Sequence, residues 1–203
     1  KKVRSLKLRS LKSKMRIISG NKKGHKLITK KNQSARPISD KNRETIFNLL
    51  AHGNGIIETG FSLHQCIILD VFAGTGSFSF EALSRGAKKS VMLEKDSIMI
   101  DLIYENIKKL DFIDTTEVHH IDALRIQSID FQDKFDLVYI DPPYEKGLDI
   151  KFVDRIGMID CFSSNCIFII EQSIEGKVLE NNKLELIRTK DLGNSRFSFF
   201  KIK

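Results

Sequence analysis

From residue 66 onward, short β-branched and apolar runs alternate with segments whose apolar residues recur at helical spacing. Cys66 to Phe72 predicts a strand containing Asp70, and a glycine turn follows. Ser77 to Arg85 predicts a helix with Gly86 just past its end. Ser90 to Leu93 predicts a second strand ending at Glu94. Asp96 has the character of an N-cap, for a helix carrying Met99, Ile103, Ile107 and Leu110 on one stripe. Glu117 to Ile121 is a weaker third strand before Asp122, and Phe135 to Ile140 is a strong fourth that runs into Asp141. A helix around Leu148 to Ile159 leads to a fifth strand, Cys166 to Ile170. Leu184 to Thr189 and Arg196 to Ile202, broken by Leu192, Gly193 and Asn194, predict a closing antiparallel pair.

Alternating β and α units imply an α/β fold: a parallel sheet with right-handed crossovers and helices on both faces. Ligands of such sheets bind beyond the carboxyl ends of the strands. Asp70, Glu94, Asp122 and Asp141 fall at four consecutive strand ends, a recurrence that solvated strand termini explain poorly. The chain before this body has another character. Met15 to Thr29 predicts a hairpin around Gly20 to Gly24. Ser39 or Asp40 then caps a helix with Ile46, Phe47, Leu49 and Leu50 on its apolar side, and residues 53–60 read as a linker. The expected division is a basic leader over 1–14, a hairpin and helix over 15–60, and the main domain over 61–203.

Charge separates the same pieces. Residues 1–43 carry 16 Lys and Arg against one acid, Asp40, for a net +15, while residues 44–203 carry −7. A basic segment on a mildly acidic body points to a polyanionic partner for the segment. For residues 1–14, a solvated tail explains the charge as well as a binding arm does. No apolar run approaches a membrane span, and the basic N-terminus lacks the apolar core of a secretory signal. Cys66, Cys161 and Cys166 form neither a CxxC nor a disulfide framework, which suits a reducing cytoplasm. His119 and His120 have no Cys or acid at ligand spacing, so no metal is expected.

The stretch from Asp70 through Val71, Phe72, Ala73, Gly74 and Thr75 to Gly76 is a strand, then a glycine turn at a helix start. It lacks the third glycine of a dinucleotide fingerprint and has an acid before the turn. That suits a ligand with a positive amino group, such as S-adenosylmethionine, better than a pyrophosphate. Glu94 is placed for ribose hydroxyls, and Asp122 with the Ala123 backbone for the adenine edge. Asp141, Pro142, Pro143 and Tyr144 are the sharper signal. Consecutive prolines make a stiff turn without backbone donors. One carboxylate oxygen and one proline carbonyl can accept both hydrogens of an exocyclic amine, aligning its nitrogen for methyl transfer. Tyr144 would stack on a base drawn out of its helix.

From Met15 to its C-terminus the chain resembles the RsmD-type 16S rRNA guanine-N2 methyltransferases. The similarity lies in Met15 to Gly20, Arg36 to Asp40, Arg43 with Glu44, Phe47 with Asn48, Asp70 to Gly76, Glu81 to Gly86, Glu94, and Asp141 to Tyr144. Ile38 stands where the family pattern has a threonine, and residues 1–14 extend beyond the usual start. The resemblance implies a seven-stranded Rossmann-like class I S-adenosylmethionine-dependent methyltransferase sheet with a small N-terminal hairpin and helix extension. It implies methyl transfer from S-adenosylmethionine to N2 of one guanine of 16S rRNA in the 30S subunit, by a cytoplasmic monomer. By position, Asp70, Phe72, Ala73, Gly74, Gly76, Glu94, Asp122 and Ala123 serve the cofactor, and Asp141, Pro142, Pro143 and Tyr144 the guanine. The hairpin and the segment after it would meet RNA through Arg16, Lys22, Lys23, Lys26, Arg36 and Arg43.

Two other functions fit parts of the pattern. A DNA adenine-N6 methyltransferase would use the same Asp-Pro-Pro-Tyr turn, but little chain remains for a separate target-recognition region. A catalytically inactive RNA-binding module on the same fold would not need both motifs intact.

Overall fold

The computed structural model describes residues 15–29, 39–129, 131–143, 147–156 and 160–203. Among these residues, seven strands form one sheet. They are β1 (Ile67–Asp70), β2 (Lys89–Glu94), β3 (Thr116–His120), β4 (Phe135–Ile140), β5 (Phe162–Ser173), β6 (Leu184–Leu192) and β7 (Ser195–Ile202). Their order is β3-β2-β1-β4-β5-β7-β6. The first five pair in parallel, and β7 joins antiparallel to both β5 and β6. The helices are α1 (Asp40–His52), α2 (Ser77–Ser84), α3 (Ser97–Leu110) and α4 (Leu148–Val153). This is the α/β architecture expected from the alternation, with the seven strands that the resemblance implied.

The period of two along each strand divides the core. Ile68, Met92, Leu137, Tyr139, Ile167, Ile169, Phe197 and Phe199 face one cluster, which also takes buried residues of α1, α2, α3 and the 15–29 segment. Leu69, Val91, Leu93, Val138, Ile140, Cys166, Phe168, Ile170 and Phe200 face the other, with Phe152 and Val153 of α4. Pairing extends strands beyond their apolar runs. The fifth strand was expected to stop at Ile170, but β5 continues through Ser173 because Glu171, Gln172 and Ser173 pair with β7. The helix expected around 148–159 is observed over Leu148–Val153, and residues 157–159 lie outside the described residues.

The 15–29 segment turns back as a hairpin with a single antiparallel bridge, Arg16 to Lys26, and backbone bonds from Ile17 to His25 and from Leu27 to Met15. Polar side chains of the body hold it. Glu81 of α2, fully buried, accepts the Ile18 and Ser19 N–H groups at 2.7 and 3.0 Å. Ser84 accepts from the Lys22 N–H and donates to the Ser19 carbonyl. The buried Asn106 of α3 accepts from the Ile28 N–H at 2.7 Å and donates to the Ile28 carbonyl at 3.0 Å, as a neighbouring strand would. Helix α1 begins where Ser39 accepts the Asn42 N–H, and buries Arg43, Ile46, Phe47 and Leu50. Rings of three elements continue from it: Phe47 stacks on Phe78 (4.9 Å) and Phe78 on Tyr139 (3.9 Å, 6° between planes).

Glu81 also answers two cations, Arg85 at 2.7 Å and the buried Arg43 at 3.8 Å. Removing one partner of a buried ionic group leaves the others uncompensated. Glu81→Gln is therefore expected to lower stability by about 3–5 kcal/mol, read from urea unfolding. Hydrogen exchange at Ile18 and Ser19 should rise with it.

Candidate functional site

Each of four adjacent strands carries an acid two residues beyond an inward apolar residue of the same face: Asp70 after Ile68, Glu94 after Met92, Asp141 after Tyr139, Glu171 after Ile169. Strand order β2-β1-β4-β5 then sets Glu94, Asp70, Asp141 and Glu171 in a row at the carboxyl edge. Ile140 is level with Ile170, so Asp141 stands beside Glu171. Asp122 lies past β3 at the end of the row. Its carboxylate caps a short 3-10 helix by accepting the Leu124 N–H, and the Lys95 ammonium is 3.7 Å away. Ala123 beside it is buried.

The glycine turn sits against this row. Gly76 takes φ +75° at the start of α2, and a Cβ there would meet the Phe80 ring and the Met92 sulfur at 2.7 and 3.1 Å. Packing thus dictates glycine at 76. Gly74, at φ +55°, has open space where its Cβ would be, the space a ligand needs to approach the backbone. Glu94 accepts three backbone N–H groups, from Gly74 (2.8 Å), Lys95 (2.7 Å) and Asp96 (2.8 Å). A carboxylate has about four acceptor positions, so roughly one remains for a ligand hydroxyl. Ala73 is buried and donates to the Leu93 carbonyl, while Phe72 is half-buried and meets Phe152 edge-on at 6.5 Å.

Asp70 is buried and accepts the Ser79 hydroxyl at 2.7 Å. Burial pushes its carboxyl up to about 7; Ser79 opposes that shift and Glu94 adds to it. Burial likewise holds the Asp141 carboxyl well above the ordinary range, with Glu171 and then Asp70 adding repulsion and Tyr139 opposing them through a hydrogen bond. The Tyr139 hydroxyl donates to Glu171 at 2.8 Å and is itself pushed well above its usual value by burial and then by Asp141 and Glu171. Pro142 is buried and Pro143 exposed; Tyr144 lies outside the described residues.

Glu171 is absent from the residues expected from sequence, although it directly follows the apolar run Cys166 to Ile170 as Glu94 and Asp141 follow theirs. The available signal was its place two residues past Ile169 on the strand next to β4. Among the expected RNA contacts, Arg16, Lys23 and Lys26 are exposed and Lys22 is half-buried, while Arg36 lies outside the described residues. Arg43 requires a correction. It is 1% exposed, and its guanidinium donates to the Arg16 carbonyl (2.5 Å) and to Asp40 (3.3 Å), so its placement supports an internal role and not an RNA contact. His119 bonds Glu117 and His120 bonds the Lys95 carbonyl; the described residues hold no cluster of three or more metal-ligating groups. Among them no helix is long and apolar enough to cross a membrane.

A profile of the family described as Conserved hypothetical protein 95 matches residues 15–201. The chain belongs to this family. The RsmD-type resemblance is consistent with its relatives. It is 29% identical to Ribosomal RNA small subunit methyltransferase D of Haemophilus influenzae, over 90% of this chain and 91% of the relative. It is 28% identical to the protein of that name from Escherichia coli K12, over 79% and 76%. A candidate methyltransferase of known structure from Escherichia coli superposes with a TM-score of 0.78 at 24% identity, over 93% of this chain and 98% of that one, which shows the shared fold.

The fold implies S-adenosylmethionine, and the residues of this family member fit it: an open Gly74, a spare acceptor on Glu94, and buried acids suited to a cation. A positive ligand beside Asp70 favours its charged form. Binding is therefore expected to release a proton near neutral pH and to weaken as pH falls below about 7, where the Asp70 proton must be displaced. The limit for one such proton is about tenfold in affinity per pH unit. Calorimetry in two buffers of different ionisation enthalpy checks this; identical heats and a pH-independent affinity would count against it.

Proposed function

We propose that the protein transfers a methyl group from S-adenosylmethionine to the exocyclic N2 of a guanine in 16S rRNA, with the 30S subunit as its partner. The observation that carries this reading is the Asp141-Pro142-Pro143 turn standing in the acid row, one strand from the open glycine turn. It is supported by relatives named Ribosomal RNA small subunit methyltransferase D along most of their length. The basic hairpin adds a surface for a polyanion, with Arg16, Lys22, Lys23 and Lys26 on it.

When bound, the cofactor supplies an electrophilic methyl group on a sulfonium. Asp70, Gly74 and Glu94 hold it at the carboxyl edge, with Phe72, Ala73, Gly76, Asp122 and Ala123 around them. Asp141 accepts one N–H of the guanine amine and the Pro142 carbonyl the other, which fixes the direction of the nitrogen lone pair. Pro143 stiffens the turn, and Tyr144 stacks on the base. Positioning and charge carry the rate, since the reacting groups are supplied by cofactor and substrate. Arg36 would reach RNA from the segment after the hairpin.

Asp141→Ala is expected to reduce methyl transfer by about 10²–10⁴-fold while leaving S-adenosylmethionine affinity within a few-fold. The assay is labelled S-adenosylmethionine with 30S particles that lack the modification, followed by mapping of the nucleotide. Transfer to duplex DNA in place of 30S particles would assign the chemistry to an adenine enzyme, and wild-type turnover by the variant would remove Asp141 from the site.

A further inference from the structure

Three acids and a phenol meet at the carboxyl edge of β1 and β4, beside the last residues of β5. Asp141 follows Ile140, which is level with Ile170, so Glu171 is its neighbour on the adjacent strand. Tyr139 lies two residues before Asp141 on the same face. Its hydroxyl donates to Glu171 at 2.8 Å, and its ring is fixed between strand and helix by the stack on Phe78 at 3.9 Å. Glu171 is 5% exposed and lies on the long strand β5, paired with Phe197 of β7 and one residue past the last β4 pairing, at Ile170. An ionisable group in such a position is costly to keep and has no role in the assignments made so far.

We propose that Glu171, with the Tyr139 hydroxyl, is a positioning residue that sets the orientation and the proton affinity of Asp141. This rests on Asp141 being the acceptor of the amine. During transfer the nitrogen forms a bond to the methyl carbon as the sulfur–methyl bond breaks, leaving the nitrogen with one proton too many. That proton passes to the Asp141 carboxylate, whose oxygen lone pair forms the new O–H bond, and is then lost to solvent. A carboxylate standing alone in water is a poor acceptor for it. Crowding by a second carboxylate makes Asp141 a better one, because two like charges in a desolvated site resist full ionisation.

The groups that face Asp141 among the described residues are few. Glu171 from β5 and Asp70 from β1 raise its hold on a proton, and Tyr139 from its own strand opposes them. Glu94 from β2 acts on Asp70, and Arg43 from α1 senses Tyr139. Of these, Asp70 and Glu94 are committed to the cofactor in the reading above. Glu171 is the neighbour of Asp141 to which the cofactor and base assignments give no part.

The test is kcat against pH at saturating S-adenosylmethionine on 30S particles, comparing wild type with Glu171→Gln and Glu171→Asp. Removing the neighbouring charge lowers the proton affinity of Asp141. The acid limb of Glu171→Gln is therefore expected to move to lower pH by about one unit, with kcat reduced and cofactor affinity unchanged. Glu171→Asp should return the limb toward wild type. In the cofactor-free protein, the Asp141 carboxyl carbon followed by NMR should titrate at lower pH in Glu171→Gln. An unmoved limb and an unmoved midpoint in a folded Glu171→Gln protein would overturn the proposal. If that variant does not fold, Tyr139→Phe keeps the stacked ring and removes only the hydroxyl; a wild-type pH profile there would overturn it equally. Asp141→Asn separates the two levels. Wild-type turnover by Asp141→Asn sinks the acceptor assignment itself, whereas an inactive Asp141→Asn beside an unmoved Glu171→Gln sinks only the role of Glu171.

Discussion

The Glu81 carboxylate is the point through which the N-terminal part of the chain is tied to the sheet. One buried side chain accepts two backbone N–H groups of the hairpin, the Arg85 guanidinium of its own helix, and the field of Arg43 from α1. None of these partners is close to it in sequence except Arg85. Such a group is tolerable in the interior only because charge and lone pairs are both answered. Its position on α2 matters, because Gly76, the last residue of the glycine turn, caps that helix. The hairpin with its basic residues is therefore referenced to the same helix that ends the glycine turn.

The acid row shows what strand pairing contributes that local sequence does not. Asp70, Glu94, Asp122 and Asp141 were each visible as the residue following a hydrophobic run. Their adjacency depends on the order β3-β2-β1-β4, which no single run displays. Glu171 follows the apolar run Cys166 to Ile170 in the same way, but only the pairing of β5 with β4 and β7 shows it enclosed beside Asp141 rather than ending a strand in solvent. Asn106 was hidden for a related reason. It sits three residues after Ile103 on the buried face of α3, where a polar residue reads as an interruption until its partner Ile28 is known.

Arg43 illustrates the opposite failure. Clustered with basic residues in sequence, it shares their charge but not their exposure. Helical spacing with Phe47 and Leu50 turns it inward, against Asp40 and the Arg16 carbonyl. Net charge over a segment says nothing of which side chains face outward; that is settled by the helix period and by what α1 packs on.

The stack of Phe47, Phe78 and Tyr139 bears on how sequences of this family can drift. Its three rings come from α1, α2 and β4, and each is enclosed, so no ring can change volume alone without opening a void or forcing its neighbours apart. Substitutions at 47, 78 and 139 should therefore travel together among relatives, exchanging one set of three for another. The exposed Arg16 and Lys23 of the hairpin carry no such packing constraint and can change singly where the trio cannot.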